Sequence, residues 1–262
     1  MDLGICVASH IGDVDYVVRA EELGYKCAWL ADSQMLWSDC YATLALAATR
    51  TNKIHLGTGV AITGTRPAPV NAAGIATINA LAPGRTFFGV GAGNTAMRVM
   101  GLPPHRIKQF EQYLQTLAPL LKGEESELHV GDKSLPIKHI MPDKGFVNFK
   151  DPIPLYISGF GPKSLALAGK YGDGAVLGVN TPETVSGMWH LIQEGAKEIN
   201  RDLKPKENYY TTALTSMVVL EEGEAVDSDR VKSECGAMAM AAVHYNYDQY
   251  RNFGNKPHNA FI

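Results

Sequence analysis

Two short stretches of the sequence carry residue types suited to holding a ligand rather than attacking one. Ser158 to Gly174 reads SGFGPKSLALAGKYGDG: a strand end, a glycine turn and a helix whose first position suits Pro162, where a missing N–H costs nothing. The N–H groups of that first helical turn, the positive end of the helix dipole, and Lys163 and Ser164 alongside form an anion site that a phosphate would fit. An ordinary strand-to-helix turn accounts for the same letters equally well. It is not a Walker A loop, since the order is G-P-K-S and the required upstream glycine falls on Tyr156. In GVGAGNTAMR, Gly89, Gly91 and Gly93 alternate and strip side chains from one edge of a strand. Either a flat group approaches the backbone there or the glycines relieve crowding inside the fold. Asn94 and Thr95 follow with an amide and a hydroxyl suited to the edge of a heteroaromatic ring or a polyol chain.

Asp32 closes the run AWLAD and reads as a hydrogen-bond anchor or as a solvated loop charge. The other residues at strand ends, Ser9, His10, Ser33, Trp37, Thr63, Arg66 and Asn180, are polar or aromatic and include no obvious nucleophile. His10 suits a general acid or a loop histidine in water, and Trp37 reads equally as core. Cys6 and Cys27 fall within or at the start of strands and read as small buried hydrophobes. With Cys40 and Cys235 they form neither a C-x-x-C pair nor a disulfide framework, which points to a reducing compartment and away from zinc.

Positioning these residues requires a regular frame, and the chain supplies one. Seven apolar runs are expected as strands: Leu3 to Ser9, Cys27 to Asp32, Ile54 to Ile62, Thr86 to Gly93, Pro154 to Gly159, Gly174 to Val179 and Tyr209 to Glu222. They are continuously apolar or small, as strands covered on both faces are. Ile107, Phe110, Leu114, Leu117 and Leu121 recur at three and four residues and predict a helix ending before Gly123. Val14, Val17 and Val18 predict another, with Asp13 as its N-cap and Gly24 beyond its end. Residues 124–151, rich in charge, Gly and Pro, read as a hairpin-like insertion and as a loop that helps to choose the substrate. No repeat or linker interrupts the rest, so a single domain over residues 1–262 is expected.

The 262 residues, 45% of them hydrophobic, suffice for a large core, and a net charge of -3 without any basic stripe argues against a nucleic-acid partner. No apolar run approaches the ~18 residues that span a bilayer, and no leader pattern opens the chain, so a soluble cytoplasmic protein is expected. Strand and helix alternation admits a closed barrel or an open doubly wound sheet. A dinucleotide fold needs G-x-G-x-x-G after its first strand, where this chain has ASHIGD. Glycine-rich ends recur instead after the third, fourth and fifth strands, which is the behaviour of a barrel with one functional face.

Taken together, AWLAD, IHLGTGV, LAPGRTFFGVGAGNTAMRVMG and LYISGFGPKSLALAGKYGDGAV, in this order and spacing, resemble the bacterial luciferase-like superfamily of flavin- and deazaflavin-dependent oxidoreductases. The closest resemblance is to its methylenetetrahydromethanopterin reductase-like branch, which uses coenzyme F420. The resemblance implies a TIM (β/α)8 barrel and hydride transfer between coenzyme F420 and a small organic substrate, with a pterin-linked one-carbon unit as one candidate. It implies a non-prolyl cis peptide between Gly59 and Val60 behind the central ring, and Gly91, Gly93, Asn94 and Thr95 flanking that ring. Ser158, Gly159, Phe160, Gly161 and Pro162 would bind the phosphate. Asp32 and Ser33 would lie near the polar edge and, with His10, tune the ring or relay a proton; no metal is implied. Family members are commonly homodimers, and the same is implied here.

Two features depart from the family pattern. Ser33 stands where deazaflavin enzymes of this kind commonly have histidine, which counts against a histidine relay at that position. No eighth strand is found before Ile262, so the expected fold is a barrel lacking, or truncated before, its eighth strand. The alternatives are an FMN-dependent monooxygenase of the same family and, from another class, a non-catalytic flavin-binding or truncated barrel protein. A barrel enzyme acting on phosphorylated sugars would leave the glycines of the third and fourth strands unexplained.

Overall fold

A computed structural model describes residues 1–178, 182–203, 205, 208–215 and 217–253. The strands of the main sheet are β1 (Gly4–Val7), β2 (Cys27–Leu30), β3 (His55–Thr58), β4 (Ala61–Ile62), β5 (Thr86–Gly91), β8 (Leu155–Gly159), β9 (Gly174–Leu177) and β10 (Tyr210–Ala213). A separate antiparallel hairpin joins β6 (Ser126–Val130) to β7 (Lys133–Ile137). The helices are α1 (Asp15–Glu22), α2 (Cys40–Arg50), α3 (Ala68–Leu81), α4 (Asn94–Val99), α5 (Ile107–Leu120), α6 (Pro162–Tyr171), α7 (Pro182–Glu198) and α8 (Asp229–Phe253). The sheet runs β1-β2-β3-β5-β8-β9-β10, with β4 paired to β5. Along this path, with β4 set aside, each strand of the main sheet thus neighbours the next one in the chain, with the pairs from β1 to β9 parallel. That order belongs to a barrel wound in one direction; a doubly wound sheet reverses its order at a switch point.

Large and small residues alternate across one face of this sheet. Trp29 pairs with Gly57 and Gly57 with Phe87; two residues on, Gly89 pairs with Tyr156 and Tyr156 with Gly174. A Cβ on Gly57 would run into the Phe87 ring, and one on Gly174 would stand 2.8 Å from the Tyr156 ring. The glycines make room for the aromatics. Trp29 and Phe87 meet at 4.3 Å between ring centroids and Tyr156 stacks on Tyr210 at 4.9 Å, filling the side where the strands begin. The other face meets the helices through Ala28, Leu30, Leu56, Phe88, Val90, Leu155 and Ile157, each 2% exposed or less. Full burial of such a Leu, Ile or Phe stabilises by about 1.5–3 kcal/mol.

Helix boundaries follow local chemistry. Asp39 caps α2 by accepting from the Ala42 N–H at 2.9 Å, and α5 carries its expected stripe inward through Phe110, Leu114 and Leu117. Asp13 does not cap α1: residues Ile11–Asp13 form a short 3-10 turn and Val14 takes the N-cap position. Among the described residues of the expected run Tyr209 to Glu222, only Tyr210–Ala213 form a strand, and Met217 and Val219 beyond it are exposed. The expected strand Ile54 to Ile62 is divided by a cis peptide between Gly59 and Val60. Val179 and Asn180 lie outside the described residues.

Residues 124–151 leave α5 and re-enter the sheet at the start of β8. Asn79, near the end of α3, donates to the carbonyls of Asn148 and Asp151, both at 2.9 Å. The insertion therefore belongs to the face where strands begin, opposite the ends that carry the candidate site residues, and the expectation that it chooses a substrate is corrected. Where one domain was expected, the chain clusters into two compact units, one of Met1–Leu177 with Ser186–Thr212 and one of Gly178–Val185 with Ala213–Ile262. In the second, Glu224 gathers Ser228 and Arg230 at the start of α8. Among the described residues no helix is long and apolar enough to cross a membrane.

Candidate active site

Asp32 follows β2 and is 3% exposed. Its Oδ1 accepts from Gln34 Nε2 at 2.6 Å; its Oδ2 accepts from Arg66 Nη1 at 2.7 Å and, weakly, from the Ile62 N–H at 3.4 Å. Arg66 Nη2 reaches Asp39 Oδ2 at 2.7 Å, and the guanidinium lies 5.0 Å from the centre of the Tyr41 ring. Burial pushes the Asp32 carboxyl above its ordinary pKa, and the charge of Arg66 pulls back only part of that rise. Asp32 is thus an engaged, buried anchor; the solvated-charge reading does not hold.

The residues around it divide into those drawn to the strand ends and those left in solvent. Ser9 Oγ donates to the Ala31 carbonyl at 2.6 Å, and the Ser38 N–H donates to the Ser9 carbonyl, tying the end of β1 to the loop after β2. The Ser33 carbonyl receives the N–H groups of Leu36 and Trp37, a turn that leaves Met35, Leu36 and Trp37 exposed. Trp37 is therefore not core. His10 is also exposed, with Nδ1 3.2 Å from Asp13 Oδ2, and its contact is to that surface carboxylate. Cys6 is exposed, contrary to expectation, whereas Cys27 and Cys40 are buried.

The glycines of β5 prove to be places of close packing. A Cβ on Gly91 would stand 2.9 Å from Val60 Cγ2 and 3.3 Å from Ser158 Cβ, and one on Gly89 would meet the Thr58 carbonyl. Gly93, at φ +78°, is the N-cap of α4 and faces Ile62 at a distance no Cβ tolerates. The bare backbone edge expected here is filled by Val60 and Ile62, so the reading of direct approach by a flat group is corrected. What is presented instead is the side chain of Val60, seated against Gly91. Asn94 begins α4 half-buried and Thr95 is exposed beside it.

Ser158 and Gly159 end β8, Phe160 is 49% exposed, and among the described residues no atom beyond the chain neighbours of Gly161 lies within 4 Å of where its Cβ would be. The Gly161 N–H donates to Ser164 Oγ at 3.2 Å, and that hydroxyl donates back to the Gly161 carbonyl at 3.0 Å. Pro162 has no N–H. The expected anion site would therefore have the open turn and the first turn of α6 to rest on, with Lys163 beside it, and Pro162 would add shape but no hydrogen bond. Arg66 and Thr63, noted only as strand-end residues, and Gln34 and Asp39, not singled out at all, complete the mouth. The Thr63 hydroxyl is buried without a partner among the described residues. Among those residues no group of His, Cys, Asp and Glu is arranged to hold a metal.

A family model described as luciferase-like monooxygenase matches residues 12–260. A 5,10-methylenetetrahydromethanopterin reductase of Methanolobus tindarius is 33% identical over 195 residues, covering 73% of this chain and 57% of its own. The chain spans less than two thirds of the length of the curated reductases it matches. Among solved structures, the coenzyme F420 dependent tetrahydromethanopterin reductase of Methanopyrus kandleri superposes with a TM-score of 0.68 at 22% identity, covering 96% of this chain and 80% of that one. The oxygenating constituent of 3,6-diketocamphane monooxygenase from Pseudomonas putida, in complex with FMN, gives a TM-score of 0.71 at 16% identity, covering 100% and 81%. At such identities these likenesses establish the barrel fold.

Proposed function

The chain belongs to the luciferase-like monooxygenase family, and from that premise we propose that it is an oxidoreductase moving a hydride between coenzyme F420 and a small organic substrate. The observation that carries this reading is an open helix-start turn at Gly161, at the same strand-end face as the buried Asp32 and the presented Val60. A planar ring with an anionic tail fits those residues. The reading is supported by the lack of crowding beside Gly161 among the described residues and by the buried Thr63 hydroxyl, which has no partner among them. The likeness to reductases whose names include F420 or its pterin substrate supports the cofactor and, as substrate class, a pterin-linked one-carbon unit.

In this reading the phosphate is held by Ser158, Gly159, Phe160, Gly161 and the first turn of α6, with Lys163 adding charge. Gly59 and Val60 support the ring from behind, while Gly91 and Gly93 set the position of that support and Asn94 and Thr95 hydrogen-bond at its flank. When bound, the cofactor supplies the carbon that gives or takes the hydride; the protein supplies position. Asp32, held by Arg66 and Gln34, keeps a negative charge at the polar edge, and Ser33 beside it carries protons to and from water. His10, exposed and paired with Asp13, is left out of this set. The protein acts as a cytoplasmic homodimer.

A second reading, an FMN-dependent monooxygenase, is supported by the match to the FMN-bound oxygenase. Titration of the purified chain with coenzyme F420 and with FMN, followed by fluorescence, separates them: tighter binding of F420 is expected. Binding of neither overturns both readings, and binding without hydride transfer across a substrate panel supports a non-catalytic barrel.

A further inference from the structure

The strand-end face holds a buried ion pair between Asp32 and Arg66, and its cation has two anchors. Arg66 Nη1 lies 2.7 Å from Asp32 Oδ2, the side chains being 18% and 2% exposed, while Nη2 lies 2.7 Å from Asp39 Oδ2. Asp39 is itself fixed, since its Oδ1 caps α2. The two arms of one planar guanidinium are therefore each assigned to a carboxylate that has a second hydrogen-bond partner of its own, Gln34 for Asp32 and the Ala42 N–H for Asp39, a fork geometry that an ammonium does not reproduce. The groups acting electrostatically with Asp32 are Arg66 from the loop after β4, Asp39, Cys40 and Tyr41 around the start of α2, and Tyr113 from α5. Of these Arg66 alone is a cation. A buried carboxylate with no such partner gives up its charge.

We propose that Arg66 is a positioning residue that acts through Asp32: braced by Asp39, it fixes the Asp32 carboxylate in one orientation and in its ionised form, and so sets the pH below which the site loses that charge. The consequence for cofactor binding rests on the function proposed above; the charge state of Asp32 does not.

The test uses the full chain and two readouts. Carbon-13 NMR of the Asp32 carboxyl, assigned with Asp32→Asn and recorded without cofactor, follows its titration in the wild type, in Arg66→Gln and in Arg66→Lys. Loss of an adjacent opposite charge should raise the Asp32 midpoint by about 1–3 pH units in Arg66→Gln, and lysine should restore part of the difference. The acid limb of coenzyme F420 affinity, measured by fluorescence, should move upward with it. An unmoved Asp32 midpoint in a folded Arg66→Gln protein overturns the proposal. If that variant does not fold, a midpoint in Arg66→Lys equal to the wild type overturns it and an upward shift supports it. If coenzyme F420 fails to bind the wild type, the functional reading falls while the NMR titration still decides the role of Arg66.

Discussion

Val60 Cγ2 lies 2.9 Å from the point where a Cβ on Gly91 would stand, so the residue after the cis bond is seated in space that the missing side chain of Gly91 leaves for it. Gly91→Ala is therefore expected to displace Val60 or Ser158. Overpacking of this kind costs about 1–3 kcal/mol, to be read as a lower urea midpoint with an unchanged slope. Cofactor affinity should fall in parallel, and an alanine variant with wild-type stability would contradict the packing described.

Ser164 Oγ both accepts from and donates to the backbone of Gly161. Its removal in Ser164→Ala loosens the turn proposed to hold phosphate, at a capping cost of about 1 kcal/mol. FMN affinity should drop roughly fivefold while riboflavin, which has no phosphate, should be unaffected. Equal losses for the two ligands would place the phosphate elsewhere.

Glu21 Oε2 accepts the N–H groups of Asn52, Lys53 and Ile54 at 2.9, 2.6 and 2.8 Å, tying the end of α1 to the start of β3. Burial alone would raise its pKa, but these N–H donors hold the carboxyl below the ordinary range. A depressed folded-state pKa contributes stability above the unfolded pKa of ~4.3 and loses it as pH falls through the folded value. Glu21→Gln should thus cost about 1–3 kcal/mol at pH 7, and the gap to wild type should close below about pH 4 in denaturant titrations.

Asn79 is fully buried and uses both ends of its amide, donating to Asn148 and Asp151 and accepting from Thr86 Oγ1 at 2.6 Å and the Gly84 N–H at 3.3 Å. Asn79→Ala leaves four polar groups without their partner and should destabilise by about 2–4 kcal/mol. Amide exchange should rise first at residues 148–151, and cofactor affinity should change little because this cluster lies at the opposite end from the strand mouths.

The frame was legible in the sequence because both-face burial leaves unbroken apolar runs, and each of the seven expected runs contains a strand of the main sheet. The last run failed over Met217 and Val219, which are exposed and have no strand partner among the described residues: propensity without a partner does not make a strand. The glycines of GVGAG announced missing side chains but not what takes their place, which depends on Val60 and Ile62, about thirty residues earlier. Arg66 and Asp32 are likewise 34 residues apart, with no periodic signal to join them; only the rule that adjacent strand ends share a mouth could have paired them. Asp13 is a residue type suited to a cap but stands one residue before the N-cap position, which Val14 takes, because Ile11–Asp13 first winds into a 3-10 turn.

The β6–β7 hairpin hangs from α5 through Thr116, which exchanges hydrogen bonds with Glu127 and Ser126, and it forms a two-stranded sheet of its own. Its tip, at Gly131 with φ +60°, offers a natural attachment point. A fluorophore or affinity handle inserted between Gly131 and Asp132 would therefore extend from a two-stranded stem that shares no backbone pairing with the main sheet.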